Sequence, residues 1–78
     1  MAISESQARK IAEDMIRKSG RNVAIVAFNR LECTNGTILY CFDVEDLDTG
    51  EYYYPGELFK SILDDGSLID FSIPPPAF

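Results

Sequence analysis

One apolar stripe runs along the first segment of the chain at the spacing of a helix. Its members are Ala8, Ile11, Ala12, Met15 and Ile16. Such a stripe is typical of a helix that buries one face. Ser4 can cap this helix, and Gln7 can complete a capping box. The pattern predicts a helix over residues 4–19 that ends at Gly20.

Two β-forming segments follow, at residues 23–33 and 37–45. Asn35-Gly36 between them suits a two-residue type I′ turn, which would pair Leu31 with Tyr40. One face would then be apolar and receive the helix. That face would carry Val23, Ile25, Ala27, Leu31, Cys33, Ile38, Tyr40, Phe42 and Val44. The reverse face would pair Phe28 with Asp43, Arg30 with Cys41 and Glu32 with Leu39.

Short elements are predicted in the rest of the chain. Asp48-Thr49-Gly50 indicates a turn into a third strand at residues 51–54, and apolar residues within 57–64 have helical spacing. A last strand is predicted at Leu68, Ile69, Phe71 and Ile73, followed by a polyproline tail at Pro74-Pro75-Pro76. The pattern predicts an α+β fold of order α-β-β-β-α-β, with an antiparallel sheet and the N-terminal helix packed on one face.

The length of 78 residues predicts a single domain over residues 1–78 with a thin core. A deep ligand pocket would remove apolar contacts that so small a core needs. Recognition at the surface is therefore the more economical way for this chain to bind another molecule.

Charge is unevenly distributed along the chain, whose net charge is −6. The first 21 residues carry five basic and three acidic side chains, whereas from Leu31 onward ten carboxylates face one cation, Lys60. The acidic part would repel nucleic acids and anionic membranes and attract a basic protein surface. A role in solubility alone remains the alternative.

The residue types required for common catalytic sites are missing. The chain has no His, so neither a Ser-His-Asp nor a Cys-His arrangement can form. Two Cys cannot complete a structural zinc site, and the acidic run does not match a calcium loop. We therefore predict no enzyme activity, no metal and no cofactor.

The cysteines and the N-terminus bear on the compartment. Under the predicted register Cys33 and Cys41 lie on opposite faces of the hairpin and stay reduced. The sequence shows neither an export signal nor an apolar stretch long enough to span a bilayer. These features predict a cytoplasmic protein.

Three consecutive tyrosines lie within the acidic run. Successive strand side chains point to opposite faces, so at least one ring should be accessible. Tyrosine inside an acidic rim suits a binding hot spot. The predicted partner-binding residues are Asp43, Glu45, Asp46, Asp48, Glu51, Tyr52, Tyr53, Tyr54 and Glu57. The alternative is a homodimer through the reverse face, around Phe28, Leu39 and Cys41.

Residues 3–54 resemble a PepSY-type domain. The resemblance is carried by Ile3-Ser4, Ala8, Ile11-Ala12, Leu39-Tyr40, Val44 and Asp48-Thr49-Gly50-Glu51. It implies a domain that binds or inhibits proteases. In size and acidity the chain is also similar to immunity proteins and to phage or mobile-element inhibitors such as anti-CRISPR proteins. We therefore expect a protein-binding inhibitor.

Overall fold

The computed structural model describes residues 2–72 and contains one helix and five short to medium strands. The helix, α1, spans Glu5–Ser19. The strands are β1 (Val23–Glu32), β2 (Ile38–Asp46), β3 (Tyr52–Tyr53), β4 (Ser61–Leu63) and β5 (Leu68–Ile69). All strand pairs are antiparallel, and the sheet order is β1-β2-β4-β5, with β3 also paired to β2. The α+β class and the N-terminal helix on the sheet are confirmed.

Local signals set the ends of α1. The Ser4 hydroxyl accepts the backbone N–H of Gln7, and the Gln7 side chain accepts the backbone N–H of Ser4. Gly20 ends the helix in the left-handed conformation, with φ of 72°. The predicted capping box and helix bounds are therefore confirmed.

The β1–β2 hairpin forms, but its turn has three residues instead of two. Cys33 N–H donates to the Thr37 carbonyl (2.8 Å), and Gly36 N–H donates to the Cys33 carbonyl (3.0 Å). A type I′ turn needs positive φ at both central residues. Gly36 has φ of 84°, but the φ of Asn35 is not positive. A type I turn closed by a left-handed glycine fits these bonds and shifts the register by one residue.

This shift moves part of β1 to the other face of the sheet. Phe28 pairs with Phe42 and Leu31 pairs with Leu39, instead of Leu31 with Tyr40. A bulge at Val26 adds a second residue to the register shift, so Val23 and Ile25 return to the predicted helix-side face. The helix-side face therefore carries Val23, Ile25, Phe28, Arg30, Glu32, Ile38, Tyr40, Phe42, Val44, Asp46, Tyr53 and Ile62, and the reverse face carries Ala24, Ala27, Asn29, Leu31, Leu39, Cys41, Asp43, Glu45, Tyr52, Ser61 and Leu63.

The core lies between α1 and the helix-side face. Ala8 and Ala12 are fully buried and let the helix approach the sheet closely. Around them pack Val23, Tyr40, Phe42, Val44 and Ile62. The rings of Phe28 and Phe59 flank Phe42 at centroid distances of 6.2 and 5.9 Å.

The predicted second helix is wrong. Residues 55–57 form a turn and residues 58–59 a bend, and residues 61–63 form β4, whose Tyr40–Ile62 and Leu39–Leu63 pairs attach it to β2. Ile62 is buried against the core, whereas the neighbouring Ser61 is buried on the reverse face. The order is therefore α-β-β-β-β-β. Of the predicted last strand, Leu68 and Ile69 form β5; Ile73 and the proline tail lie outside the described residues.

The C-terminal end of the described chain returns to the sheet. The Ser61 hydroxyl donates to the Phe71 carbonyl at 2.9 Å. Gly56, with φ of 85°, lies so close to this segment that a Cβ there would come within 2.2 Å of the Phe71 oxygen. Gly56 and Ser61 therefore anchor the segment at Phe71–Ser72.

Candidate partner-binding surface

The turn between β2 and β3 is built around the carboxylate of Asp46. This carboxylate accepts the N–H groups of Asp48 (2.8 Å) and Thr49 (3.0 Å). The two hydrogen bonds hold the pKa of Asp46 below its usual value. Gly50 closes the turn with φ of 77°. Asp48-Thr49-Gly50 is thus a hairpin turn, as predicted, and Asp46 stabilises it.

Asn22 connects this turn to the start of β1. Its side-chain amide donates to the Asp48 carboxylate at 3.1 Å, and its backbone carbonyl accepts the backbone N–H of Leu47 at 2.9 Å. Asp48 therefore has a structural partner although it is exposed. Both acidic residues of the turn contribute charge to the surface from fixed positions.

Tyr52 projects from the reverse face and is held at its hydroxyl. The hydroxyl donates to the carboxylate of Asp43, which is only 9% exposed and also accepts the side-chain amide of Asn29 at 3.3 Å. The bond to this carboxylate raises the pKa of Tyr52 to about 12. The ring of Tyr54 packs edge-on at 5.1 Å. Tyr52 nevertheless stays 41% exposed, so it is an accessible ring in a fixed orientation.

Tyr53 lies on the opposite face and belongs to the core side. It pairs with Val44 and packs against the buried cluster around α1. Its hydroxyl donates to the Glu51 carboxylate at 2.5 Å, and this bond raises the pKa of Tyr53. Tyr53 and Glu51 are therefore separated by the sheet from Tyr52 and Asp43.

Glu57 and Glu45 have different roles. The Glu57 carboxylate accepts the backbone N–H of Tyr54 at 2.5 Å and closes the turn after β3. Glu45 is exposed on the reverse face, directly opposite Tyr52 in the register.

Four of the nine predicted residues thus share one face, and we call them the Tyr52 surface: Asp43, Glu45, Tyr52 and Tyr54.

Asn29 is a member of this network that sequence reasoning missed. In the predicted register Asn29 lay on the apolar side of the hairpin, opposite Phe42. In the structure it lies beside Asp43 on the reverse face. Only the correct turn type would have revealed the contact.

The residues predicted for an alternative dimer face do not form one exposed surface. Phe28 is on the helix-side face, where the Arg9 guanidinium lies 4.7 Å from its ring centroid. Leu39 and Cys41 are on the reverse face but are 1% and 0% exposed. They are unavailable to a second chain because they are already covered within the monomer.

Both cysteines are free thiols, for a reason other than the predicted one. Cys33 and Cys41 do not lie on opposite faces; instead, Cys41 pairs with Asn29, four positions from Cys33 along the strand. At about 3.3 Å per residue the two lie about 13 Å apart, too far for a disulfide. Burial raises the pKa of Cys41 to about 11, which keeps that thiol protonated and inert.

Residues 2–72 contain neither a cluster of metal ligands nor a membrane-spanning helix. No three His, Cys, Asp or Glu side chains within this part of the chain come together in a way that could hold a metal ion. The helix of this same part is neither long nor apolar enough to cross a membrane.

Comparison with known proteins finds no matching family model, no matching curated protein and no matching solved structure. The resemblance to PepSY-type domains therefore stays a prediction.

The hydroxyl bond of Tyr52 predicts a pH effect. Because the folded pKa of Tyr52 lies above the ordinary value of about 10, the bond stabilises the fold fully below pH 10. Its contribution is lost as the pH rises through about 12. Ultraviolet titration of tyrosinate should show a late-ionising residue that disappears in Tyr52→Phe but persists in Tyr54→Phe. Identical titration curves for Tyr52→Phe and the parent, after correction for one tyrosine, would disprove the contact.

Proposed function

We propose that this protein is a non-catalytic, cytoplasmic binding module whose Tyr52 surface docks on a basic surface of a partner protein. It would act as an inhibitor or immunity-type protein, in the manner of phage anti-defence proteins that occlude a nucleic-acid site. The observation that carries the proposal is the exposed ring of Tyr52, fixed by a buried carboxylate within an acidic surface.

Pre-organisation of the aromatic side chains supports binding. An exposed tyrosine normally loses rotamer freedom when a partner immobilises it, and this lowers affinity. Here the bond to Asp43 and the packing on Tyr54 restrict Tyr52 before any partner arrives. Tyrosine is also among the residues enriched at binding hot spots. The surface is suited to contribute affinity at a small entropic cost.

The lack of Lys and Arg at the described strand positions of the reverse face supports a basic partner. Among the described strand positions of the reverse face, the charged residues are Asp43 and Glu45, with no Lys or Arg. Basic residues instead lie on α1 and on the helix-side face, at Arg9, Lys10, Arg17, Lys18 and Arg30. A basic partner would therefore be attracted to the face that bears Tyr52 more than to α1, where four basic residues outnumber the acidic Glu5, Glu13 and Asp14 by one.

Two substitutions of equal charge test the proposal. The partner is first isolated by affinity capture from the native host, and its dissociation constant is then measured. We expect Glu45→Lys, beside Tyr52, to weaken binding at least about tenfold because it places a cation in the acidic surface. Glu13→Lys changes the net charge equally, but Glu13 is an exposed residue of α1, so this substitution should leave affinity within about twofold.

The aromatic part of the surface is tested in the same assay. Tyr52→Ala should weaken binding by about tenfold or more, as expected of a hot-spot tyrosine. Val26→Ala truncates another exposed side chain, on β1, and should have little effect. If Tyr52→Ala and Glu45→Lys both bind as the parent does, the Tyr52 surface is not the docking site.

A further inference from the structure

Strand β1 is a long free edge of the sheet. It ends the strand order, whereas the other edge of β2 is occupied by β3 and β4. Strand β1 has ten residues, without Pro or Lys to discourage pairing. An edge strand presents a row of unpaired N–H and C=O groups that another extended strand can bond.

Only the second half of this edge is suited to pairing. Arg9, Glu13 and Ile16 of α1 line a groove with Val23–Ile25, so the helix flanks the first half of the strand. The bulge at Val26 also interrupts the regular alternation of the backbone there. From Phe28 to Glu32 the register with β2 is regular. This segment is therefore the part of the edge that can extend the sheet.

The hairpin hydrogen bonds show which groups point outward. The N–H of Cys33 donates to the carbonyl of Thr37, the residue immediately before β2. In an antiparallel ladder successive residues alternate between the two edges of a strand. Leu31 and Asn29 therefore bond β2, while the backbone groups of Arg30 and Glu32, together with those of Phe28, face the free edge.

The two charged residues of this segment can pair with the same two residues of a second copy of the chain. Arg30 and Glu32 are the charged residues of β1, and they are spaced two apart on one face. Within one chain their side chains form an ion pair of 3.0 Å, with side-chain exposures of 44% and 72%. If strands β1 of two copies pair antiparallel with Leu31 opposite Leu31, Arg30 of each chain lies opposite Glu32 of the other. A register with Arg30 opposite Arg30 would instead bring two like charges together and is disfavoured.

We propose that the free edge of β1 pairs with the same edge of a second copy of this chain. The two strands run antiparallel about Leu31, which joins the two sheets and forms two Arg30–Glu32 pairs between chains. Tyr52 lies across β2 from this edge, so the Tyr52 surface of each copy stays accessible. The dimer does not depend on the proposed partner, and it leaves both copies able to bind one.

Sedimentation equilibrium of the full chain tests the dimer. The parent should approach twice the monomer mass as concentration rises from about 10 μM to about 1 mM, as expected of a small, weak interface. Arg30→Glu and Glu32→Arg should each remain monomeric, because each places like charges opposite one another. An equimolar mixture of the two variants should dimerise, since each supplies the charge that the other lacks. Circular dichroism of both variants is measured as well, to check that they are folded.

Hydrogen exchange locates the contact. The amides of Arg30 and Glu32 should exchange more slowly as concentration rises, while that of Leu31, already bonded to β2, should be protected at every concentration. A parent that stays monomeric up to 1 mM would overturn the proposal and leave the edge to a strand of another protein. A mixture that stays monomeric, or an Arg30→Glu variant that dimerises as the parent does, would also overturn it.

Discussion

Replacing Gly56 with alanine is expected to leave much of the protein unfolded at 25 °C. The added Cβ would lie 2.2 Å from the Phe71 oxygen and 2.6 Å from Ser72, and the backbone φ of 85° is unfavourable for any residue with a side chain. The conformational cost is about 1–2 kcal/mol, and the steric overlap adds about 1–3 kcal/mol. A domain of this size has roughly 3–5 kcal/mol from its core to lose.

Gly66→Ala is the matched control for this substitution. Gly66 has nearly the same conformation, with φ of 89°, but nothing lies within 4 Å of a Cβ added there. Gly66→Ala should therefore lower the free energy of unfolding, measured by urea denaturation, by the conformational cost alone, about 1–2 kcal/mol. Equal losses for the two variants would show that the segment at Phe71–Ser72 does not pack against Gly56.

Ile62→Ala should be the most damaging truncation among the described residues that follow β2. Ile62 is fully buried in the core beneath α1, and removing its side chain should cost about 2–5 kcal/mol. Leu68 is the cross-strand neighbour of Ile62 and is 42% exposed, so Leu68→Ala should cost less than about 1 kcal/mol. The two unfolding free energies are compared in urea. Similar losses would contradict the burial pattern of β4.

The first helix could be predicted because its determinants are local. The capping box between Ser4 and Gln7, the apolar stripe and the final Gly20 all lie within the helix or next to it. None of them depends on a distant part of the chain. The structure agrees with the prediction at both ends for that reason.

The hairpin was predictable, but its register was not. Asn35-Gly36 suits either a two-residue turn or the end of a three-residue turn, because both place glycine at positive φ. The choice is set by the whole of β1 and β2, including the bulge at Val26. A shift of one residue then moved Phe28 and Asn29 to opposite faces from those predicted.

The segment at residues 57–64 shows how a non-local contact overrides spacing. Leu58, Phe59 and Ile62 fit a short helix, but a helix of two turns is marginal without packing. Pairing with Leu39 and Tyr40 of β2 gives β4 backbone partners about 20 residues away in sequence. Such pairing is not visible in the segment itself.

The candidate surface was predictable in composition but not in arrangement. The run of carboxylates and tyrosines predicted a binding surface around residues 43–57. In the structure these residues are divided between the two faces of the sheet. Tyr52 and Glu45 lie on one face and Tyr53 and Glu51 on the other, whereas Asp46 stabilises a turn. Which tyrosine is exposed depends on the pairing of β3 with β2.

The salt dependence of partner affinity tests the central claim most directly. For the parent, raising sodium chloride from about 50 to about 500 mM should weaken binding about tenfold or more, because the Tyr52 surface would meet a basic partner. Glu45→Gln should bind more weakly at low salt and show a shallower dependence, whereas Glu13→Gln should follow the parent. An affinity that does not change with salt, or equal slopes for Glu45→Gln and the parent, would contradict the claim.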